Sequence, residues 1–463
     1  MKKSILFFVL FFSLTVKSEA AHLIDVYQQA LCSDPQFQQA INQQLATGEN
    51  VPISRSNLLP NLGFAASPFI TKATGSGPAS TIDDTLRERG YNYSLTLTQT
   101  IFNLSQLANL AQQKSIAKQS VATLNAASQD LMIRVAKAYF QVLEDEDILR
   151  ASASAKTAFG KQLDQITQQY KVGLKTLTDV YTAQASYEGS VADYIASETA
   201  LSDDKENLRA ITGVLYPSLS HLSNRLPLIS PKPADIEAWV DIAIKQNWQI
   251  KADQYAVIAA MQNVKQQFAG HMPTLNVEGQ YEVNFVNDMT QNSFSSIEDV
   301  EGAILHPRGA GQTHASTLSL NLAVPIYQGG LVVAQTRQAK YQYQVAVQAL
   351  EQQIRGTANQ TRQSYLGVIA GISKIHADQK SIQSAKSALE GMEAGYRVGT
   401  EILVNVLNQR QQVLTNEKQY AHDRYAYVNN LLALKQAAGT LSPEDLASLN
   451  AWLVEGEVSH AFQ

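Results

Sequence analysis

The sequence predicts a mixed α and β membrane protein: four strands per chain contribute to a trimeric 12-stranded β-barrel continuous with a long α-helical coiled-coil barrel. Three observations predict it: a secretory leader, long strictly alternating strands, and proline-free helical stretches, the last two present twice. In the leader, Lys2 and Lys3 precede an apolar run over 5–12, and Ser18-Glu19-Ala20 offers the small residues that a signal peptidase reads. Cleavage is expected near Ala20, making 1–20 a signal peptide. The apolar run is too short for a transmembrane anchor, and no later window reaches roughly 18 apolar residues, so a membrane crossing must use strands.

Cys32 is the only cysteine, which excludes an intrachain disulfide. It lies too far beyond the cleavage site to carry a lipid and reads as a small residue packed on a helix. The mildly acidic balance, with pI near 5.9, excludes the basic stripe of a nucleic-acid binder.

The elements recur. No proline lies between Pro78 and Pro217 or between Pro325 and Pro443, and each gap ends in a glycine helix stop, Gly213 or Gly439, with proline just beyond. The offset of 439 from 213, which is 226 residues, also carries Tyr139 onto Tyr365, Lys171-Val172-Gly173 onto Arg397-Val398-Gly399, and Asp179 onto Asn405. The chain therefore reads as two repeats, 21–230 and 231–463. The first has a helix, a β-hairpin over 58–102 and a helical hairpin over 103–213. The second has a helix, a β-hairpin over 272–328, a helical hairpin over 329–439 and a C-terminal equatorial segment.

Each repeat opens with a helix, roughly 22–57 and 234–270. The strands follow. Tyr91, Tyr93, Leu95 and Leu97 alternate with Asn92, Ser94, Thr96 and Thr98; Leu318, Leu320 and Leu322 alternate with Ser319, Asn321 and Ala323. Leu275, Val277, Tyr281, Val283 and Phe285 alternate with Asn276, Glu278, Gln280, Glu282 and Asn284, so Glu278 and Glu282 are expected to face a lumen. Runs of 12–16 residues are long enough to cross a bilayer tilted. The turn-rich stretches 74–78 and 287–311 read as exposed hairpin loops. Four strands cannot close, and open edges are not tolerated in lipid. Three copies giving twelve strands is the smallest closed ring with a wide lumen, since a dimer giving eight is filled by side chains.

The pattern then switches to helix. Val121, Leu124, Leu131, Val135, Ala138 and Val142 follow a coiled-coil seam, and the segment 104–170 reaches about 100 Å. Its return arm, 176–211, is about half as long, and the short helix before each hairpin supplies the rest. Tight turns are expected at Val172-Gly173-Leu174 and Val398-Gly399-Thr400.

These residues resemble the TolC family of outer-membrane efflux ducts over nearly the whole mature chain. The resemblance rests on Val26-Tyr27-Gln28-Gln29-Ala30, Leu58-Leu59-Pro60, Leu97-Thr98-Gln99 with Ile101-Phe102, and Pro325-Ile326-Tyr327-Gln328-Gly329-Gly330. It continues in Met392-Glu393-Ala394-Gly395-Tyr396 and Ala438-Gly439-Thr440-Leu441. It implies an exit duct in the outer membrane, with its helical barrel in the periplasm. As partners it implies a periplasmic adaptor and an inner-membrane transporter, in tripartite efflux pumps and type I secretion systems. It further implies a periplasmic gate at Thr178, Asp179 and Tyr396, and adaptor contacts at the tips Val172, Gly173, Leu174, Val398, Gly399 and Thr400. Where the family usually has an arginine this chain has Glu401, and where it has two ring-forming aspartates this chain has Asn405 and Asn408. A ring of asparagines keeps size and hydrogen bonding without charge, so the constriction is expected to select cations less, with Glu401 one turn away restoring part of the charge.

No catalytic motif or phosphate-cradling loop appears, and no cofactor is expected. Gly329-Gly330 reads as a strand-to-helix corner, His306 and His314 as solvated, and Glu144-Asp145-Glu146-Asp147 as a solvated face or bend. A secreted coiled-coil structural or adhesive protein explains the helices but not the strands, and a passive porin explains only the strands.

Overall fold

The computed structural model describes residues 20–75, 84–223, 226–292, 307–308 and 311–454. The expected signal peptide, His306 and most of both predicted strand loops lie outside these residues. In chain order the elements begin with helices α1 (Leu23–Ser33), α2 (Pro35–Gly48) and α3 (Asn50–Ser56), then strands β1 (Asn61–Gly75) and β2 (Asp84–Phe102), then helices α4 (Leu104–Lys171) and α5 (Leu177–Thr212). There follow β3 (His221–Leu222), α6 (Ile236–Gln246), α7 (Trp248–Phe268), β4 (Thr274–Asn292), β5 (Pro307–Arg308) and β6 (Gly311–Ala323). The chain ends with α8 (Leu331–Val398), α9 (Leu403–Ala437), α10 (Pro443–Asn450) and β7 (Leu453–Val454). Among the described residues no helix is long and apolar enough to cross a membrane.

The chain packs as two units, one formed by Leu45–Ser120 with Asp253–Leu350, the other by the remaining segments. In the first, β1, β2, β4 and β6 form an antiparallel sheet in that order, with β5 pairing the far end of β4. The strands are longer than the alternation alone predicts, 19 residues in β2 and β4, and they run into the expected loops: Gly75 still pairs Asp84. Continued ladder pairing satisfies backbone groups that a loop would leave to water.

Directly opposed residues share a face. One face carries Leu62, Leu97, Gly279 and Leu318 in one row and Phe64, Leu95 and Tyr281 in the next, all but the glycine exposed. The other carries Thr96, Gln280 and Thr317, then Ser94, Glu282 and Ala315, then Asn92, Asn284 and Thr313. An exposed apolar face opposite a polar one is the division expected of a sheet with lipid on one side and water on the other. Among the described residues neither β1 nor β6 has a strand on its outer edge.

The first helical segment is not continuous. Pro35 lacks an N–H, Asp34 accepts from Phe37 N at 2.8 Å, and the chain restarts as α2. The segment 234–270 breaks at Asn247, whose side chain accepts from Gln249 N at 2.9 Å and caps α7. In α4 the predicted seam holds at Leu131, Val135 and Val142, each fully buried, whereas Val121 is 46% exposed. Near it, the buried positions of α4 are Ala108, Ser115 and Ala122.

The core of the second unit joins α1 (Leu23, Val26, Tyr27), α4 (Leu131, Tyr139, Phe140), α9 (Tyr425, Tyr427, Leu434) and α10 (Leu446, Leu449). The Tyr139 hydroxyl lies 3.0 Å from the Ala21 carbonyl and 2.8 Å from that of Ser220, so the buried ring also ties down two connecting segments. Cys32 lies on α1 as expected, but exposed rather than packed: the buried residues of this helix are Leu23, Val26, Tyr27 and Ala30, and Cys32 falls on the face opposite Ala30.

Candidate functional site

The turns joining α4 to α5 and α8 to α9 gather most of the residues singled out from sequence. Gly173 adopts φ 77°, its N–H donates to the Tyr170 carbonyl at 2.9 Å, and Leu174 N donates to Gln169 O at 2.8 Å. Those bonds end α4 in a left-handed cap that disfavours a side chain. Gly399 repeats the device with φ 86°, and Thr400 N donates to Gly395 O at 2.9 Å. Val172, Leu174, Val398 and Thr400 are all exposed around them.

Beyond the first turn, Thr176 and Asp179 form a reciprocal capping box. Asp179 N donates to Thr176 Oγ1 at 3.2 Å, and Thr176 N donates to Asp179 Oδ2 at 3.0 Å. Thr178 is exposed on the same turn. Beyond the second turn, Asn405 donates from Nδ2 to Glu401 Oε2 at 2.9 Å, so the carboxylate sits against the amide as a one-turn spacing requires. Asn405 and Asn408 are exposed, while Leu403, Val406 and Leu407 on the other side of α9 are buried. Leu403 and Leu407 join Phe159, Ile166 and Ala183 in a small apolar core below the turns.

Tyr396 borders this core, and the Lys175 ammonium lies 4.2 Å from its ring centroid. Its hydroxyl is buried without a hydrogen-bond partner among the described residues. Glu393 and Arg410 form an ion pair that ties α8 to α9. With Tyr396, Lys161 and Gln165 they line an open cleft of about 700 Å³.

Sequence reasoning missed Lys175, Glu393 and Arg410. A signal existed: antiparallel helices rise equally, so residues equidistant from a turn meet. Glu393 with Arg410, and Lys386 with Glu417, are mirrored about 401 and 402. In the first hairpin Ser152 meets Ser197 at 3.1 Å, mirrored about 174 and 175.

The structure corrects the reading of the acidic run. Glu144, Asp145 and Asp147 are buried, not a solvated face. Asp147 accepts from the Tyr425 hydroxyl at 2.9 Å and pairs Arg150 at 3.0 Å. Glu144 lies 2.8 Å from His422 Nδ1, and Glu146 pairs Lys205 at 3.1 Å. Facing helices thus supply the partners that make burial tolerable. Asp145 faces Asp204, and burial first, then that neighbour, raises its carboxyl to about 7. Asp378 faces Asp423 on the other hairpin and is raised to about 6 by burial and then by Asp423. Among the described residues no cluster of three or more His, Cys, Asp or Glu is placed to hold a metal ion.

In the sheet, Glu282 accepts from Asn92 Nδ2, and Glu278 lies opposite Thr98 and Ser319 on the same polar face. His314 is in β6, its Nδ1 2.9 Å from the Tyr281 hydroxyl, not in a loop. Gly329 and Gly330, at φ 60° and 82°, make the corner into α8.

A sheet amphipathic across its faces, joined to two 68-residue helices with return arms, defines a membrane protein of the outer-membrane channel class. The chain belongs to the outer membrane efflux protein family, whose model matches residues 26–214 and 239–440. It is 34% identical over 436 residues to the outer membrane protein TolC of Salmonella enteritidis, covering 94% of this chain and 85% of that protein. It is 25% identical over 448 residues to the alkaline protease secretion protein AprF of Pseudomonas aeruginosa, covering 95% and 88%. The crystal structure of CusC superposes with a TM-score of 0.75 at 16% identity, covering 91% of this chain and 92% of that one.

Proposed function

We propose that three copies of this chain form an outer-membrane exit duct for efflux and type I secretion, a conduit without covalent chemistry. The observation that carries the reading is the sheet of four long strands, with one apolar face, one polar face and, among the described residues, an unpaired edge on each side. Three such sheets close a ring of twelve strands, lipid outside and Glu278 and Glu282 toward water within. Two repeats of one ancestral unit, 21–230 and 231–463, account for the paired hairpins. The relatives TolC and AprF support the outer-membrane location and the export role.

The helical hairpins extend as a tunnel into the periplasm. Its gate is formed by Thr178, Asp179, Tyr396, Glu401, Asn405 and Asn408, and the tips Val172-Gly173-Leu174 and Val398-Gly399-Thr400 meet a periplasmic adaptor that links the duct to an inner-membrane transporter. With asparagine at 405 and 408, and Asp179 held in its capping box with Thr176, Glu401 is the carboxylate beside the asparagines that focuses cations on the axis. Single-channel recording in planar bilayers tests this: block by a trivalent cation is expected in the wild type and is expected to vanish in Glu401→Gln. Tight block that survives the substitution overturns Glu401 as the ring.

A further inference from the structure

The apolar band of the sheet has a measurable height and a charged rim. On β2 the exposed side chains Tyr91, Tyr93, Leu95, Leu97 and Ile101 span ten positions. At about 3.3 Å per residue and a tilt of about 40°, that is about 25 Å, the height of the apolar belt of an outer-membrane barrel. The end far from the helices carries an aromatic cluster: Phe64 stacks on Tyr93 at 6.3 Å, and Phe285 contacts Tyr91 and Tyr93 at 6.1 and 5.9 Å. Aromatic rings mark the membrane–water interface.

Beyond that cluster the same face turns cationic. Arg89 lies two residues past Tyr91, about 7 Å along the strand, so it points to the same side. Its row holds Ile70 and Asp288, and the next row holds Lys72, Arg87 and Thr290. Lys72 and Arg89 are exposed. Water-facing strand ends need no cations in the lipid-facing register. Here Lys72 and Arg89 continue that register at the headgroup level.

We propose that this rim binds the phosphate groups of an outer-leaflet lipid, with Lys72 and Arg89 as ligands. The proposal rests on the barrel reading above, because only a sheet with lipid on its apolar face brings these positions to headgroups. A guanidinium and an ammonium suit phosphate oxygens at a partly desolvated surface, where each cation strengthens attraction to anionic headgroups.

The test uses the full mature protein in detergent, titrated by native mass spectrometry with a bis-phosphorylated glucosamine-disaccharide lipid and with the same lipid lacking both phosphates. The wild type is expected to bind the phosphorylated lipid about tenfold more tightly. Lys72→Gln with Arg89→Gln is expected to lose that preference, while Arg337→Gln with Lys340→Gln on α8 keeps it. Equal affinity of the wild type for the two lipids, or an undiminished preference in the Lys72/Arg89 variant, overturns the proposal. Should that variant not assemble, the wild-type comparison and the single Lys72→Gln variant decide. A spin label at Leu320, in a Cys32→Ser background, separates the two levels. Failure of lipid-dissolved oxygen to relax it sinks the barrel reading itself; relaxation without phosphate preference sinks only the lipid site.

Discussion

Asp145 and Asp378 each sit beside a second aspartate, Asp204 and Asp423, and their carboxyls are raised to about 7 and about 6. Around Asp145 the facing groups are Gln141, Glu144 and Asp204; around Asp378 they are Asp423 and Lys374. Because the folded values exceed those of the unfolded chain, about 4, the folded protein binds more protons. The stability these groups contribute is complete below pH ~4 and is lost as pH rises through about 6 and 7. Asp34, held low by its hydrogen bond to Arg134, acts in the opposite sense: its contribution is present above the ordinary carboxylate range and is lost only as pH falls below that range. Thermal unfolding in detergent should therefore show the midpoint falling from pH 5 to pH 8, and Asp145→Asn with Asp378→Asn should flatten that slope. A slope unchanged in the double variant contradicts the assignment. None of this was legible in the acidic run itself, since four adjacent acidic residues look alike until the opposing helix assigns each a partner.

Helix ends, by contrast, were written locally. Gly213, Gly439, Gly173 and Gly399 all adopt positive φ where a glycine stop was expected, because the αL cap needs only the residues of its own turn. What the motif did not convey is packing. A Cβ on Gly439 would stand 2.6 Å from the backbone of Gln246, whereas at Gly399 nothing lies within 4 Å. Gly399→Ala is thus expected to cost about 1–2 kcal/mol of local backbone strain. Gly439→Ala should exceed it by a further ~1–3 kcal/mol for the forced displacement. Thermal midpoints of the two variants, compared in one detergent, check the order. Strand alternation was equally local and gave the two faces, but not the strand lengths, which ladder pairing extends into turn-rich sequence. Breaks at Pro35 and Asn247 were missed because each needs only one residue, easily overlooked inside a helical pattern.

At the scale of the whole molecule, the open sheet edges set the expectation. In detergent, light scattering should return a protein mass near three times the mature chain, the full sequence being 50.7 kDa. A stable monomer would leave edges unpaired in lipid, and a dimer would close only eight strands around a lumen filled by side chains; either contradicts the closure argument. The order of long strands and long helices was legible because hydrophobic period and proline spacing are properties of the chain as a string. The Lys175–Tyr396 contact was not, since it joins two different hairpins, whereas the Glu393–Arg410 pair was readable only by mirroring positions about its turn.

The hydroxyl pair Ser152–Ser197 has a counterpart one offset along the chain. Advanced by 226 residues, these positions become Asp378 and Asp423. One hairpin thus sets neutral hydroxyls where the other sets ionisable acids, and the first hairpin's own acid pair, Asp145 with Asp204, lies seven residues farther from its turn on each arm. The two arms therefore sense acidity at different distances from their tips.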